Sequence, residues 1–312
     1  MYKYSVIIPH YNIPELLQRC LDSIPERDDV QVIVVDDNSD SSKVDFEKFP
    51  GLKRPNTEVY FTKEGRGAGY ARNVGLKHAK GEWILFADAD DHFYQSNLEQ
   101  FFDSGINLDG YDVVVWNFSS EELNEDGSPL EGEKGLKLWE CRDLVQIYNR
   151  YLPPWAKMVR RSLLEAKNIQ FEEVRFANDM RFSVLLAINI SHYAHLNQCI
   201  YDYEVREGSL KHIQSLSNYR CRLNVALSAS KLLLPFNMPI NPNSWQLENI
   251  CRYSYFQFLY YVLKEWHILG KKYAMADYNA VCEIIGMNPN PIVCLVDKMR
   301  VNFGALVRKP LK

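Results

Sequence analysis

A chain of 312 residues, 46% hydrophobic and 24% charged, has enough apolar material for a sizeable core and reads as one large globular domain or a domain with an appendage. Its formal net charge of −4 leaves no basic footprint, which argues against nucleic acid as a partner. The 7 cysteines are odd in number, scattered and never arranged as C-x-x-C, so neither a disulfide framework nor a zinc site is expected and the thiols read as buried in a reducing compartment.

The N-terminal MYKYSVIIPHYN enters an apolar strand over residues 4–9 almost at once, without a charged leader or cleavage site, so a cytoplasmic chain is expected. Ile13, Leu16, Leu17, Cys20, Leu21 and Ile24 then fall at helical spacing, with Asn12 and Glu15 placed as an N-cap and its partner three residues into the helix. VQVIVV (30–35) and EVYFT (58–62) read as the next strands. The glycine-broken KEGRGAG leads into a helix on which Ala71, Val74 and His78 share a face, and its glycines at 65, 67 and 69 match neither a P-loop nor a dinucleotide fingerprint. EWILFA (82–87) and YDVVVWNF (111–118) complete five strands. Strands alternating with helices predict a doubly wound, mostly parallel α/β sheet that binds its ligand beyond the carboxyl ends of the strands.

Residues 119–135 read as an acidic surface hairpin or loop, and residues 154–190 as a mixed region. From about residue 217 the pattern turns helical. This predicts a domain over 1–216, with a nucleotide half (1–118) and an acceptor half (119–216), and a helical region over 217–312. The aromatic YSYFQFLYYVLKEW (253–266) is too short for a bilayer span, which needs about 20 apolar residues. Ile292, Leu295, Val296, Met299, Phe303 and Leu306 form one stripe flanked by basic residues, a pattern suited to peripheral contact with an anionic membrane or to packing on the rest of the chain.

The chemistry gathers where apolar runs stop. One run ends in Asp36 and Asp37 and another in Asp88, Asp90 and Asp91, so both acidic clusters sit at strand C-termini and are expected to face one crevice. A single aspartate there would be read as a cap or turn residue. Three within four positions repel one another, which favours a bound cation, and carboxylates this few suit Mg2+ or Mn2+ completed by phosphate rather than zinc. Such an ion screens phosphate charge and favours a diphosphate leaving group. The pair His192-x-x-His195 has no carboxylate or cysteine partner in sequence and reads as ordinary surface or core.

SVIIPHYN with its following helix, IVVDDNSDSS, GAGYARNVGLKHAKGEWILFADADD and NDMRF resemble, in order, the blocks of glycosyltransferase family 2, inverting enzymes of GT-A fold, here of the bacterial surface-polysaccharide type. The resemblance covers roughly residues 3–210. It implies that Pro9 and Tyr11 lie against a nucleobase, usually uracil, that Asp37 hydrogen-bonds the base, and that Arg72 shapes the nucleotide pocket. Across Asp88-Ala89-Asp90, the first carboxylate would meet the ribose or a metal-bound water and the last would ligate the metal, with Asp90 and Asp91 as an alternative working pair. Asp179 would be the general base, and Asn178 stands where the family commonly has Glu. Trp155 and Lys157 would lie near the sugar and acceptor, and Arg206, Lys211 or His212 near the diphosphate. Each position has a plainer alternative: Tyr11 packed under the sheet edge, Asp37 in an Asx-turn, Arg72 paired with a carboxylate, Asp179 as a helix-start residue, a buried Trp155 with a solvated Lys157.

The resemblance implies a transferase that moves a sugar from a nucleotide diphosphate donor to a hydroxyl of a glycan or lipid-linked glycan, at the inner face of the membrane if the acceptor is lipid-linked. A sugar-nucleotide-forming nucleotidyltransferase would also need clustered aspartates, but with a glycine-rich, lysine-bearing loop where this chain reads PHYNIPELL. A catalytically silent nucleotide-sugar-binding module is the third reading.

Overall fold

The computed structural model describes residues 2–122 and 153–205, together with a few helical positions between residues 221 and 232. The chain forms two compact units, Met1–Gln214 and Ser215–Lys312. The stripe of residues 292–306, the loop beyond Glu122 and the segment holding Arg206, Lys211 and His212 lie outside the described residues. Among the described residues, no helix is long and apolar enough to cross a membrane.

Strands β1 (Tyr4–His10) and β2 (Val30–Asp37) are buried at every position, which is why they read as continuous apolar runs: a central parallel strand is covered on both faces. They pair in parallel from Tyr4↔Val30 to His10↔Asp36. β3 (Thr57–Thr62) extends β2 in parallel at the outer edge, and β4 (Trp83–Phe86) flanks β1 on the other side, also in parallel. Helix α1 (Pro14–Asp22) follows β1 and α2 (Ala68–His78) follows β3. The C-terminal ends of β1, β2 and β4 therefore open on one side, carrying both acidic clusters there.

The other half of the sheet departs from the expected mostly parallel arrangement. β7 (Lys157–Arg160) lies antiparallel between β4 and β6 (Val113–Glu122), β8 (Tyr193–Val205) runs parallel to β6, and the two-residue β5 (His92–Phe93) closes the far edge antiparallel to β8. The order is β3-β2-β1-β4-β7-β6-β8-β5, a mixed eight-stranded sheet. Helices α3 (Gln95–Asp103), α4 (Arg161–Ala166) and α5 (Met180–Asn189) accompany it. β5, β7 and β8 escaped a reading by periodicity because two of them are four residues or shorter and the third is interrupted by register shifts opposite Trp116 to Phe118.

Direction decides what reaches the crevice. Because β7 runs against β4, its first residue, Lys157, lies at the same end as the last residue of β4. Because β8 runs with β6, its later residues also arrive at that end, with Phe118 paired to Tyr201.

The start of α1 differs from the expected capping box. Pro14 opens the helix, the preceding Ile13 makes no side-chain cap, and Asn12 stands outside it at a φ of 60°. Proline suits the first helical position, where no N–H is needed, and asparagine tolerates the left-handed region. The Asn12 side chain accepts from the Asp40 amide at 2.7 Å, and its own amide donates to Ser39 Oγ at 2.8 Å, so it ties the loop after β1 to the loop after β2. On α2 the buried face includes polar Arg72 and Asn73 beside Ala71 and Gly75, while Val74 and His78 sit half-buried at its flank.

Candidate active site

The acidic turn after β4 divides by burial. Asp91 is 1% exposed and points inward, its carboxylate accepting from the Tyr201 hydroxyl at 2.8 Å and the Glu204 amide at 3.0 Å. Burial, then the charges of Asp88 and Asp90, hold the Asp91 carboxyl well above the ordinary carboxylate range. Asp88 and Asp90 are half-buried and remain in reach of solvent. The Asp90 carbonyl is pinned by Arg19 of α1 at 2.6 Å, and Arg19 also pairs with Glu204 at 2.8 Å. Burial works against the Glu204 charge, but hydrogen bonds from His92 and Arg19 hold its carboxyl below the usual range.

Arg72 joins this turn to the segment before α5. Its guanidinium, 4% exposed, donates to Asp88 Oδ1 at 2.5 Å and to Asn178 Oδ1 at 2.9 Å while lying over the Phe171 ring. Pairing with a carboxylate is thus what Arg72 does among its protein neighbours. Asn178 is turned onto Arg72 and serves as an internal acceptor.

Asp179 precedes α5 but makes no side-chain cap to it. It is partly accessible at its surface yet crowded by protein, with Phe176 and Phe182 among the buried residues of this region. That crowding raises its pKa, while Arg72 and Lys157 pull it down and Asp88 pushes it up. Asp179, Asp88, Arg72 and Lys157 therefore share one electrostatic neighbourhood.

The contact between α2 and the 172–178 segment leaves no room for a side chain at Gly69: an added Cβ would lie 2.1 Å from the Glu172 carbonyl oxygen and 2.9 Å from Asn178 Cβ. At Gly75 the obstacle is the Cγ2 methyl of Ile7 at 2.4 Å, a side-chain atom rather than backbone. Gly69→Ala is accordingly expected to cost more stability than Gly75→Ala, by about 1–2 kcal/mol in urea unfolding, because overpacking against backbone forces the 172–178 segment itself to shift.

The ends of β1 and β2 form a second polar network. The Ile13 amide donates to His10 Nε2 at 3.1 Å, which puts the proton on Nδ1, and Nδ1 then donates to Asp36 Oδ1 at 2.7 Å. Asp36 also accepts from the Ser39 amide at 2.9 Å, so Asp36, rather than Asp37, makes the local turn. Asp37 reaches forward to the loop before α2, accepting from the amides of Gly67 at 2.5 Å and Arg66 at 3.2 Å. Pro9 is buried in β1, whereas Tyr11 stands 58% exposed at the strand's end and does not pack under the sheet.

Trp155 is buried, stacked on Tyr201 and Tyr203 with centroids 5.1 and 5.3 Å away. Lys157 is 2% exposed, which removes the solvated-lysine alternative. His195 bonds the Asn117 side chain at 3.1 Å, in keeping with an ordinary structural histidine. Sequence reading missed Tyr201, Arg19, His92 and Glu204. Tyr201 and Glu204 sit in an unrecognised strand, and Arg19 belongs to no motif. A shallow cleft lined by Tyr2, Lys3, Lys80, Glu82, Arg161 and Ser162 lies at the opposite end of β1 and β4, away from these groups.

Among the described residues, no three His, Cys, Asp or Glu side chains are grouped to hold a metal by themselves. The donor set still fits a hard divalent cation that takes one or two carboxylates and completes its shell with phosphate and water, because Asp88 and Asp90 offer oxygen ligands alone and keep solvent access.

The family model described as "Glycosyl transferase family 2" matches residues 5–166, just over half of the chain. The chain belongs to glycosyl transferase family 2. This family 2 chain is 31% identical over 218 residues to the poly(ribitol-phosphate) beta-N-acetylglucosaminyltransferase TarS of Staphylococcus aureus, covering 67% of the present chain and 36% of TarS. It is 27% identical over 226 residues to glycosyltransferase GlyA of Streptococcus pneumoniae, covering 68% and 32%. It thus spans about a third of the length of these curated relatives. The crystal structure of S. aureus TarS 1–349 in complex with UDP-GlcNAc superposes with a TM-score of 0.60 at 24% identity, over 91% of this chain and 80% of that one, a likeness in fold.

Proposed function

We propose that the chain is a metal-assisted inverting glycosyltransferase that moves a sugar, N-acetylglucosamine in the first instance, from a uridine diphosphate donor to a hydroxyl of a bacterial surface glycan. The observation that carries this reading is the Arg72 bridge from Asp88 to Asn178, which ties the donor-side carboxylates to the segment bearing Asp179. The family assignment, the N-acetylglucosaminyltransferase TarS among the relatives and the UDP-GlcNAc in its solved complex support the donor.

Tyr11, exposed beside the end of β1, would offer its ring to the nucleobase, and Asp37, fixed by the amides of residues 66 and 67, would hydrogen-bond the base. Asp90 and Asp88 would hold Mg2+ or Mn2+, which would screen the diphosphate and ease its departure. Asp91, already engaged by two protein donors, keeps the turn in shape and is not a ligand in this reading. Asp179 takes the proton of the acceptor hydroxyl as that oxygen attacks the anomeric carbon from the face opposite the nucleotide. Trp155 and Lys157 border the sugar and acceptor, with the lysine charge balancing Asp179.

The test is release of uridine diphosphate from a panel of nucleotide sugars, with and without acceptor glycans, before and after removal of divalent metal. The expected result is acceptor-stimulated release that EDTA abolishes and Mn2+ restores. Asp90→Asn should raise the metal concentration for half-maximal release by about tenfold or more, as loss of a direct anionic ligand requires. Release independent of metal and acceptor alike would reject the proposal, and formation of a sugar nucleotide from sugar phosphate would replace it.

A further inference from the structure

Tyr201 belongs to no motif, yet it stands where three structural pieces meet. It lies near the C-terminal end of β8, opposite Phe118 of β6 and Phe93 of β5. Its ring is 0% exposed, stacked on Trp155 at 5.1 Å and edge-on to Phe93 at 5.1 Å, so the hydroxyl has a fixed position. That hydroxyl accepts from the Asp88 amide at 2.9 Å and donates to Asp91 Oδ2 at 2.8 Å. The Asp91 amide closes the turn onto the Asp88 carbonyl at 3.1 Å, and Asp91 Oδ1 accepts from the Glu204 amide at 3.0 Å.

Both ends of the tetrad Asp88-Ala89-Asp90-Asp91 are thus fastened to one phenolic oxygen. Three carboxylates in four residues repel one another and would spread if free. A rigid strand residue that holds the first amide and the last carboxylate prevents this, and it leaves Asp88 and Asp90 as the two that face solvent.

We infer that Tyr201 is a positioning residue that sets the spacing of the Asp88 and Asp90 carboxylates for a divalent cation. The inference rests on the metal-assisted reading above for its consequence, although the clamp itself can be tested alone. Phenylalanine at this position keeps the packing and loses both hydrogen bonds. Groups that orient metal ligands from behind are worth about 10- to 100-fold in metal affinity.

The experiment compares the wild type, Tyr201→Phe and Phe93→Leu, the last loosening the same ring without touching its hydroxyl. Mn2+ is titrated against UDP binding by calorimetry, thermal unfolding is recorded for each protein, and amide exchange at Asp88 and Glu204 is followed by NMR. The expected result is that Tyr201→Phe needs about tenfold more Mn2+ or above, and loses protection at both amides. Phe93→Leu should keep the wild-type metal requirement even if its melting temperature falls. An unchanged Mn2+ requirement in Tyr201→Phe, or an equal shift in Phe93→Leu, overturns the inference. Should Tyr201→Phe fail to fold, the wild type decides: an Asp88 amide that exchanges as fast as an open loop refutes the clamp, and a slow one upholds it. A wild type that binds UDP without responding to Mn2+ rejects the metal-assisted reading instead, and exchange in Tyr201→Phe then decides the clamp separately.

Discussion

Asp179→Asn is expected to lower turnover by about two to four orders of magnitude while donor binding stays within a few-fold of wild type. Asparagine matches aspartate in shape and keeps the surroundings of α5, so the change removes the proposed proton acceptor and little else. Its effect should fall on kcat and kcat/KM together, because a base acts in the transition state and not on the bound donor. In the proposed role the same residue would set the acid side of the pH profile. Crowding raises the Asp179 pKa, and the ionised form would be the active one. Turnover should therefore decline, as pH falls, at a higher pH than an unperturbed aspartate would give, and Asp179→Asn should flatten that limb. Near wild-type turnover in the variant would remove Asp179 from the role, leaving the donor site intact.

Arg72→Ala should be the most damaging single change among the residues of the crevice. It leaves Asp88 without its guanidinium partner, Asn178 without its donor, and the Phe171 ring uncovered. Removing one partner of a buried pair typically costs about 3–5 kcal/mol, and because the Asp88 side chain is 29% exposed the lower part of that range applies. Stability and turnover should both fall, measured by urea unfolding and by nucleotide release. Arg72→Lys separates charge from geometry. A lysine restores a positive charge near Asp88 but cannot donate to two acceptors through a planar fork. It should recover part of the stability and little of the turnover, since the tie between Asp88 and the Asn178-Asp179 segment would still be missing. Full recovery of turnover by lysine would mean that the bridge contributes charge alone.

The N-terminal half of the sheet was legible in the sequence because its strands are local and strongly patterned. YSVIIP, VQVIVV and WILF announce buried parallel strands by composition alone, and each stops at the polar residues that line the crevice. The strand pattern alone places the two acidic clusters together, since parallel neighbours end on the same side. The other side was hidden for an equally physical reason. β7 is four residues long, and β8 mixes polar residues into an irregular ladder, so neither offers a period long enough to recognise.

Residue by residue, the sequence specified which chemical groups are present: the carboxylates at 37, 88, 90, 91 and 179, the guanidinium at 72, the tyrosine at 11. It could not say which of those groups are free to act. Asp88 and Asp91 are three positions apart, yet one keeps solvent access and the other is buried against Tyr201, more than a hundred residues away. Arg72 could have met a nucleotide or a carboxylate, and the approach of Asn178 to α2 made it a bridge between Asp88 and Asn178. Local patterning fixes strands and their ends because those depend on near neighbours. Burial, partner choice and the resulting shifts in acidity depend on contacts across the whole sheet, and they are decided only when distant strands are brought together.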